Sequence, residues 1–108
     1  MIIEVDPKIT DDNVILSGGE IIKYFAIEVM SEFTKELSKD LRGKLDKEHF
    51  IEELADVYYV LSMIKRFYLI QDEDINKNIR LKMIRSKAKI EEMLSEDEML
   101  DRRGTRRI

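Results

Sequence analysis

The sequence predicts an all-α fold, an antiparallel bundle of about three helices per chain that is completed by oligomerisation. Apolar residues recur with the period of a helix from about residue 19 to residue 94, and the breaks between the periodic segments are short. Of the 108 residues, 44% are apolar and 39% are charged. That balance is typical of one helix-rich domain with a modest core.

The predicted helices occupy the central part of the chain. The first begins near residues 17–20 and ends at about Leu41, the second covers about Lys47 to Ile70, and the third covers about Glu73 to Leu94. Gly43 marks the first connection, and an acidic segment marks the second. Short connections favour antiparallel neighbours. We therefore expect residues 19–94 to form one helical domain.

The two ends of the chain are predicted to be less regular. Residues 1–18 contain the single proline, Pro7, the turn-prone run Asp11-Asp12-Asn13 and the first glycine of the pair Gly18-Gly19. These residues predict an extended or irregular lead-in. Residues 95–108 lack a sustained period and are expected to form a charged, mobile tail.

The composition narrows the chemistry that the chain can perform. It has no cysteine and one histidine, His49, which leaves carboxylates, lysine, arginine and tyrosine to act at any site. This inventory suits an oxygen-preferring cation such as Mg²⁺ or Mn²⁺. No apolar run approaches the roughly 20 residues of a membrane span, and no secretory signal is visible, so we expect a cytoplasmic protein without a membrane partner. The net charge of −4 argues against a nucleic-acid partner.

Two acids in the second predicted helix lie close to its apolar face. Glu53 projects inside the apolar arc, and Asp56 lies at its rim. An unpaired carboxylate inside a core costs several kcal/mol, so such a group usually has a cation as its partner.

The first predicted helix repeats this feature. Glu36 falls within the apolar arc, Glu32 lies at its edge, and Glu28 lies further round. A solvated acidic flank is one interpretation, because like charges at this spacing repel only weakly. Alternatively, the acids of the two helices converge on one ion, as metal sites do inside helical bundles.

The third predicted helix carries basic residues beside an apolar stripe. Lys82 falls within the stripe, Lys89 lies close to its edge, and Arg85 lies along one side. Long basic side chains often cover apolar surface while their charged ends reach water. A cationic row near a cluster able to hold Mg²⁺ is also what binding of a polyphosphate requires.

These segments resemble a known family. The segments AIEVMSEFTKEL (26–37), LRGK (41–44) and FIEELADV (50–57) resemble the MazG-type all-α nucleoside triphosphate pyrophosphohydrolases, particularly the short phage-like members. The resemblance covers about residues 20–92 and implies a MazG or dimeric dUTPase-like fold. The family signature is EExxE, a spacer, ExxD and a third helix with Lys and Arg. Val29 stands where the signature has its second Glu.

The resemblance implies that three carboxylates bind Mg²⁺ directly: Glu32, Glu53 and Asp56. Glu28 matches a motif position that need not be a ligand. Because Val29 cannot ligate a metal, either Glu36 or Glu28 completes the ligand set, or the activity is weakened or lost. Mg²⁺ usually keeps several waters, so three carboxylates are sufficient to hold it at lower affinity.

The implied reaction is hydrolysis of a nucleoside triphosphate between its α- and β-phosphates, which gives the monophosphate and pyrophosphate. The general base is expected to be Glu28, Glu52 or Glu53. Lys82 and Arg85 resemble the phosphate-contacting residues of the family, and Lys89 lies in the same cationic row.

The second predicted helix is apolar around much of its surface, at Val60, Met63, Ile64, Phe67 and Tyr68. One neighbouring helix does not cover that much surface, so we expect a partner subunit. The resemblance implies a homodimer or homotetramer with active sites near the interface. The competing hypothesis is a catalytically weak or inactive helical interaction or regulatory dimer, in which the acids form salt bridges with Lys82, Arg85 and Lys89.

Overall fold

The computed structural model describes the backbone of residues 1–102 and the side chains of residues 1–96. This part of the chain is all-helical, as predicted, and contains four helices: α1 (Pro7–Ser17), α2 (Gly19–Leu41), α3 (Lys47–Phe67) and α4 (Asp72–Arg102). The chain divides into two units. The first, Met1–Ile70, contains α1, α2 and α3, and the second begins at Gln71 and contains α4.

Residues 1–18 were predicted to be extended or irregular, and that prediction was wrong because Pro7–Ser17 form the α1 helix. Asp6 caps α1, because its Oδ1 accepts a hydrogen bond from the Lys8 N–H at 2.9 Å. Pro7 follows at the first helical position, where a residue without an N–H is tolerated. The helix ends at Gly18, whose φ of +81° is accessible to glycine at little cost. The proline therefore starts a helix here.

The α2 and α3 helices form an antiparallel pair joined by residues 42–46, close to the predicted connection. Gly19 at the start of α2 lies against the ring of Phe67 at the end of α3, where an added Cβ would lie 2.3 Å from ring carbons. Glu36 near the end of α2 lies beside His49 at the start of α3. These two contacts define opposite directions for the helices.

The core lies between these two helices. Four buried apolar residues form it: Ile22 and Val29 from α2, and Val60 and Met63 from α3. Val14, Ala26, Val57 and Ile64 pack against them. Because few side chains are fully buried, each contributes a large share of the apolar burial that stabilises this unit.

The α1 helix covers part of the surface of α3 that predicted a partner subunit. Three polar contacts attach it: Thr10 Oγ1 donates to Ser62 Oγ at 3.3 Å, Asn13 Nδ2 donates to Tyr59 Oη at 3.1 Å, and Asp11 pairs with Arg66. Val14 adds an apolar contact with the core. The large apolar surface of α3 is thus partly covered within the chain itself.

The α4 helix is longer than predicted. It continues through Arg102, so the tail predicted from residue 95 begins as helix, and that boundary was wrong. Leucine, methionine and glutamate are strong helix formers, and no proline or glycine occurs before Gly104. The rest of the predicted tail, residues 103–108, lies outside the described residues.

Of the apolar stripe predicted on this helix, only Ile75 is partly buried, and the other members are exposed: Ile79, Met83, Ile90 and Met93. Among the described residues, no helix combines the length and the apolar character that crossing a membrane requires.

The Met63→Ala substitution is expected to lower the free energy of unfolding by about 2–5 kcal/mol, because it leaves a cavity in a small core. Urea unfolding followed by circular dichroism measures this loss. Leu41→Ala is the matched control, since that side chain is 89% exposed and its loss should change stability by no more than about 0.5 kcal/mol. Equal effects of the two substitutions would contradict the placement of the core.

Candidate functional site

The buried face of α2 ends in a carboxylate. The three buried side chains of this helix, Ile22, Val29 and Glu36, are spaced by seven residues. Seven residues make nearly two helical turns, so these side chains share one stripe. The side chain of Glu36 is only 2% exposed, in agreement with its predicted position inside the apolar arc.

The α3 helix supplies a second carboxylate near residues 42–46, which connect it to α2. Glu53 precedes the buried Val60 by seven residues, and its side chain is 14% exposed. The rings of Phe33 and Phe50 pack edge to face with their centroids 5.3 Å apart. Each ring lies three residues from one of the two carboxylates, so an aromatic pair is expected to lie near the acids.

His49 lies between the two carboxylates. Its Nε2 is 3.1 Å from Oε1 of Glu36 and 3.5 Å from Oε1 of Glu53. Its Nδ1 is 3.6 Å from Oε2 of Glu52. The local sequence explains this position, because Asp46 caps α3 by accepting a hydrogen bond from the His49 N–H, and Glu53 follows one turn later. The imidazole is partly exposed, so the cluster is accessible from solvent.

The two oxygens of Glu36 have different surroundings. Oε1 accepts a hydrogen bond from Lys39 Nζ at 3.0 Å and also faces His49. Oε2 is buried and has no hydrogen-bond partner among the described residues. A buried acceptor without a partner costs about 1–3 kcal/mol, and more when the group is charged. Among the described residues, this oxygen is therefore the buried side-chain atom whose hydrogen-bonding capacity is not satisfied.

The other predicted acids are more exposed. The Glu32 side chain is 44% exposed and pairs with Lys35 at 3.1 Å. Glu28 and Asp56 are exposed, as is Glu52. Glu36 is buried, Glu32 is partly buried and Glu28 is exposed. This order agrees with the helical period, which predicted Glu36 within the apolar arc, Glu32 at its edge and Glu28 further round.

The predicted metal ligands are only partly brought together. In residues 1–96, no group of three or more histidine, aspartate and glutamate side chains is placed to hold one. The fold does bring Glu36 and Glu53 together, and the unpartnered Oε2 of Glu36 is the kind of donor that Mg²⁺ prefers. These two carboxylates therefore fit the ion chemically. Convergence of Glu32, Glu53, Asp56 and Glu36 on one ion stays a prediction.

Val29, which occupies the position of the second Glu in the family signature, is part of the apolar core. Its side chain lies two turns before Glu36 on the same buried stripe. Glu36 is the buried carboxylate of α2, and its replacement of the second Glu of the signature stays a prediction.

The predicted phosphate-binding residues Lys82, Arg85 and Lys89 lie on α4, in the second unit. All three are exposed. Their proximity to the acidic cluster stays a prediction.

Sequence analysis did not assign a role to His49 or Lys39. Both could have been identified by spacing, since His49 precedes Glu53 by four residues and Lys39 follows Glu36 by three, which places each pair on one helix face. The contact of His49 with Glu36 could not have been identified in this way, because it joins two helices.

Comparison of the chain with protein-family models, with curated proteins and with solved structures finds no match in any of the three.

The Glu36→Leu substitution is expected to raise the free energy of unfolding in the presence of a chelator by about 1 kcal/mol or more, because an apolar side chain of similar size removes a poorly satisfied buried charge. Urea unfolding measures the difference. Glu32→Leu, one turn earlier on α2, is the control and should change stability by no more than about 0.5 kcal/mol. Destabilisation by Glu36→Leu would mean that Lys39 and His49 fully compensate the carboxylate.

Proposed function

We propose that the protein is a Mg²⁺-dependent nucleoside triphosphate pyrophosphohydrolase of the MazG type, with Mn²⁺ as an alternative ion. The observation that carries this proposal is the buried carboxylate of Glu36, with one oxygen unpartnered, beside Glu53 of the ExxD motif. A buried carboxylate without full compensation favours a cation, and a divalent ion supplies two positive charges.

We assign the following roles to the acids. Glu36 and Glu53 hold the ion, and Glu32 and Asp56 complete its protein ligands. Bound Mg²⁺ supplies positive charge that neutralises phosphate oxygens and acidifies the attacking water. A carboxylate that is not fully used as a ligand accepts the proton of this water, and the candidates are Glu53, Glu52 and Glu28.

His49 is a positioning residue in this scheme. Its imidazole contacts Oε1 of both Glu36 and Glu53, and so restricts the orientations of the two carboxylates. Groups that orient metal ligands contribute to metal affinity without binding the ion themselves.

The substrate is a nucleoside triphosphate that is cleaved to the monophosphate and pyrophosphate. We assign phosphate contacts to Lys82, Arg85 and Lys89, whose charged ends are exposed and available to an anion. The assembly is a homodimer or homotetramer, which is supported by the large number of exposed apolar side chains.

A second candidate function is a catalytically weak or inactive helical interaction or regulatory module. It is favoured by the ion pairs within α2, where Glu32 pairs with Lys35 and Glu36 pairs with Lys39. In this case lysines on the same helix, rather than a metal, compensate the acids. Metal binding distinguishes the two functions.

The Val29→Glu substitution is expected to destabilise the metal-free protein by about 3 kcal/mol or more, because it places a carboxylate in the core. Millimolar Mg²⁺ should restore part of this loss, because the new carboxylate completes the ligand set of the signature. The melting temperature and the far-ultraviolet circular dichroism, each with and without Mg²⁺, measure the effect.

Two variants control this experiment. Val29→Gln places a neutral side chain of the size of glutamate in the core, and Ile22→Glu places the same charge in the core two heptads before Glu36. Both should be destabilised without recovery in Mg²⁺. Equal recovery of all three variants, or of none, would argue against a metal site and favour the second candidate function.

Turnover provides the direct test of the reaction. Incubation with a panel of canonical and modified nucleoside triphosphates and Mg²⁺ should release pyrophosphate, and Glu53→Gln should reduce the rate by at least about 100-fold because it removes a ligand and a candidate base. Glu48→Gln, an exposed acid in the first turn of α3, is the control and should retain activity. Phosphate as the first product would exclude cleavage between the α- and β-phosphates.

A further inference from the structure

The charges of α4 are separated into blocks along the helix. Residues 77–89, the basic block, contain six basic residues and no acid: Lys77, Arg80, Lys82, Arg85, Lys87 and Lys89. Residues 91–101, the acidic block, contain six acids and no basic residue: Glu91, Glu92, Glu96, Asp97, Glu98 and Asp101. Ile90 lies between the two blocks, so the charge pattern of the helix reverses sign at its position.

The same helix carries an exposed apolar stripe. Ile79, Met83, Ile90 and Met93 share one face of α4 by their spacing, and each is exposed. A helix of 31 residues whose apolar face is exposed to water gains most of its stability when that face packs against another element. The stripe extends from the basic block into the acidic block. A helix that packs along the stripe would therefore contact basic residues at one end and acidic residues at the other.

In the part of α4 whose side chains are described, residues 72–96, few of the basic side chains form ion pairs. Arg80 pairs with Glu73. Among the described residues, the side chains of Lys77, Lys82, Arg85, Lys87 and Lys89 form no ion pair. The basic block is therefore available to an acidic partner of similar length.

We propose that α4 pairs in an antiparallel direction with α4 of a second copy of this chain, with the crossing point near Ile90. In this arrangement the basic block of each copy lies opposite the acidic block of the other, and the parts of the two stripes that contain Ile90 and Met93 meet at the crossing point. A parallel pair would place like charges opposite each other along the whole contact, which is unfavourable.

The apolar stripe and the charge blocks have different roles in this pairing. Exposed ion pairs contribute little individually, so the affinity comes from the sum of many ion pairs and from the apolar contact of Ile90 and Met93 near the crossing point. The blocks determine the direction and the register, because only the antiparallel pair avoids repulsion. A nucleic acid suits the basic block alone, whereas the acidic block next to it would repel a phosphate backbone. The second copy is therefore the partner that matches both blocks.

This inference does not rest on the proposed function, because it requires neither a metal ion nor a nucleotide. It identifies a surface for the self-association that the exposed apolar residues favour.

Two charge-reversed versions of the full chain test the pairing. The first variant replaces half of the basic block with acids, Lys82→Glu, Lys87→Glu and Lys89→Glu, and the second replaces half of the acidic block with lysines, Glu91→Lys, Glu92→Lys and Glu96→Lys. Analytical ultracentrifugation should show self-association of the wild type and at least about tenfold weaker self-association of each variant alone. An equimolar mixture of the two variants should recover the wild-type affinity, because it again places opposite charges against each other.

A matched control carries the same change in charge elsewhere: Lys8→Glu, Lys44→Glu and Lys47→Glu. These lysines are exposed in the first unit, and this variant should associate like the wild type. Circular dichroism verifies that all variants stay helical. A monomeric wild type, unchanged association of the charge-reversed variants, or no recovery in their mixture would each overturn the proposal. A monomeric wild type that binds labelled RNA through the basic block would show instead that the partner is a nucleic acid.

Cysteine cross-linking tests the direction of the pair. Because the chain has no cysteine, the variants Ile90→Cys and Ile79→Cys each carry a single thiol. In the antiparallel pair the two thiols at position 90 lie near the crossing point, whereas those at position 79 are separated by roughly 33 Å along the axis. Mild oxidation should therefore cross-link the Ile90→Cys protein and leave the Ile79→Cys protein uncross-linked. Efficient cross-linking at position 79 would indicate a parallel pair and overturn the proposal.

Discussion

The packing of α2 against α3 is the constraint on which the first unit depends. The inward stripe of α2 repeats every seven residues, and it places Ile22, Val29 and Glu36 against the neighbouring helix. Since a helix presents every position of a stripe in the same direction, the face that buries the first two residues also directs the third toward α3, where it lies beside His49. The core and the candidate site are therefore consequences of one packing arrangement, and the acid is removed from water by the contacts that stabilise the unit.

The partners of Glu36 compensate this burial only in part. Lys39 and His49 both approach Oε1, while Oε2 has no partner among the described residues. Buried polar groups that are only partly compensated occur mainly at functional sites, because they contribute little to stability. Leucine at position 36 would continue the apolar stripe without that cost. The acid in this stripe, next to Glu53, is the observation on which the proposed cation-dependent function rests.

The sequence predicted the parts of the fold whose signals are local. The boundaries of α2 and α3 agree closely with the predicted ones, because long periodic segments and the break at Gly43 define them. The α1 helix was missed because Pro7 and the run of acids beside Asn13 suggest a turn. That helix is attached by contacts with Ser62, Tyr59 and Arg66, which are distant in the chain. The end of α4 was missed because charges obscure its apolar period.

By itself, the sequence determined which side chains share a helix face, and hence the order of burial among Glu28, Glu32 and Glu36, because the helical period depends only on the local backbone. It also determined the separation of charge along α4. Only the tertiary structure decided that His49 lies between Glu36 and Glu53 and that one oxygen of Glu36 has no partner. Those features depend on the register of α2 against α3, which is set by the packing of side chains that are far apart in the chain.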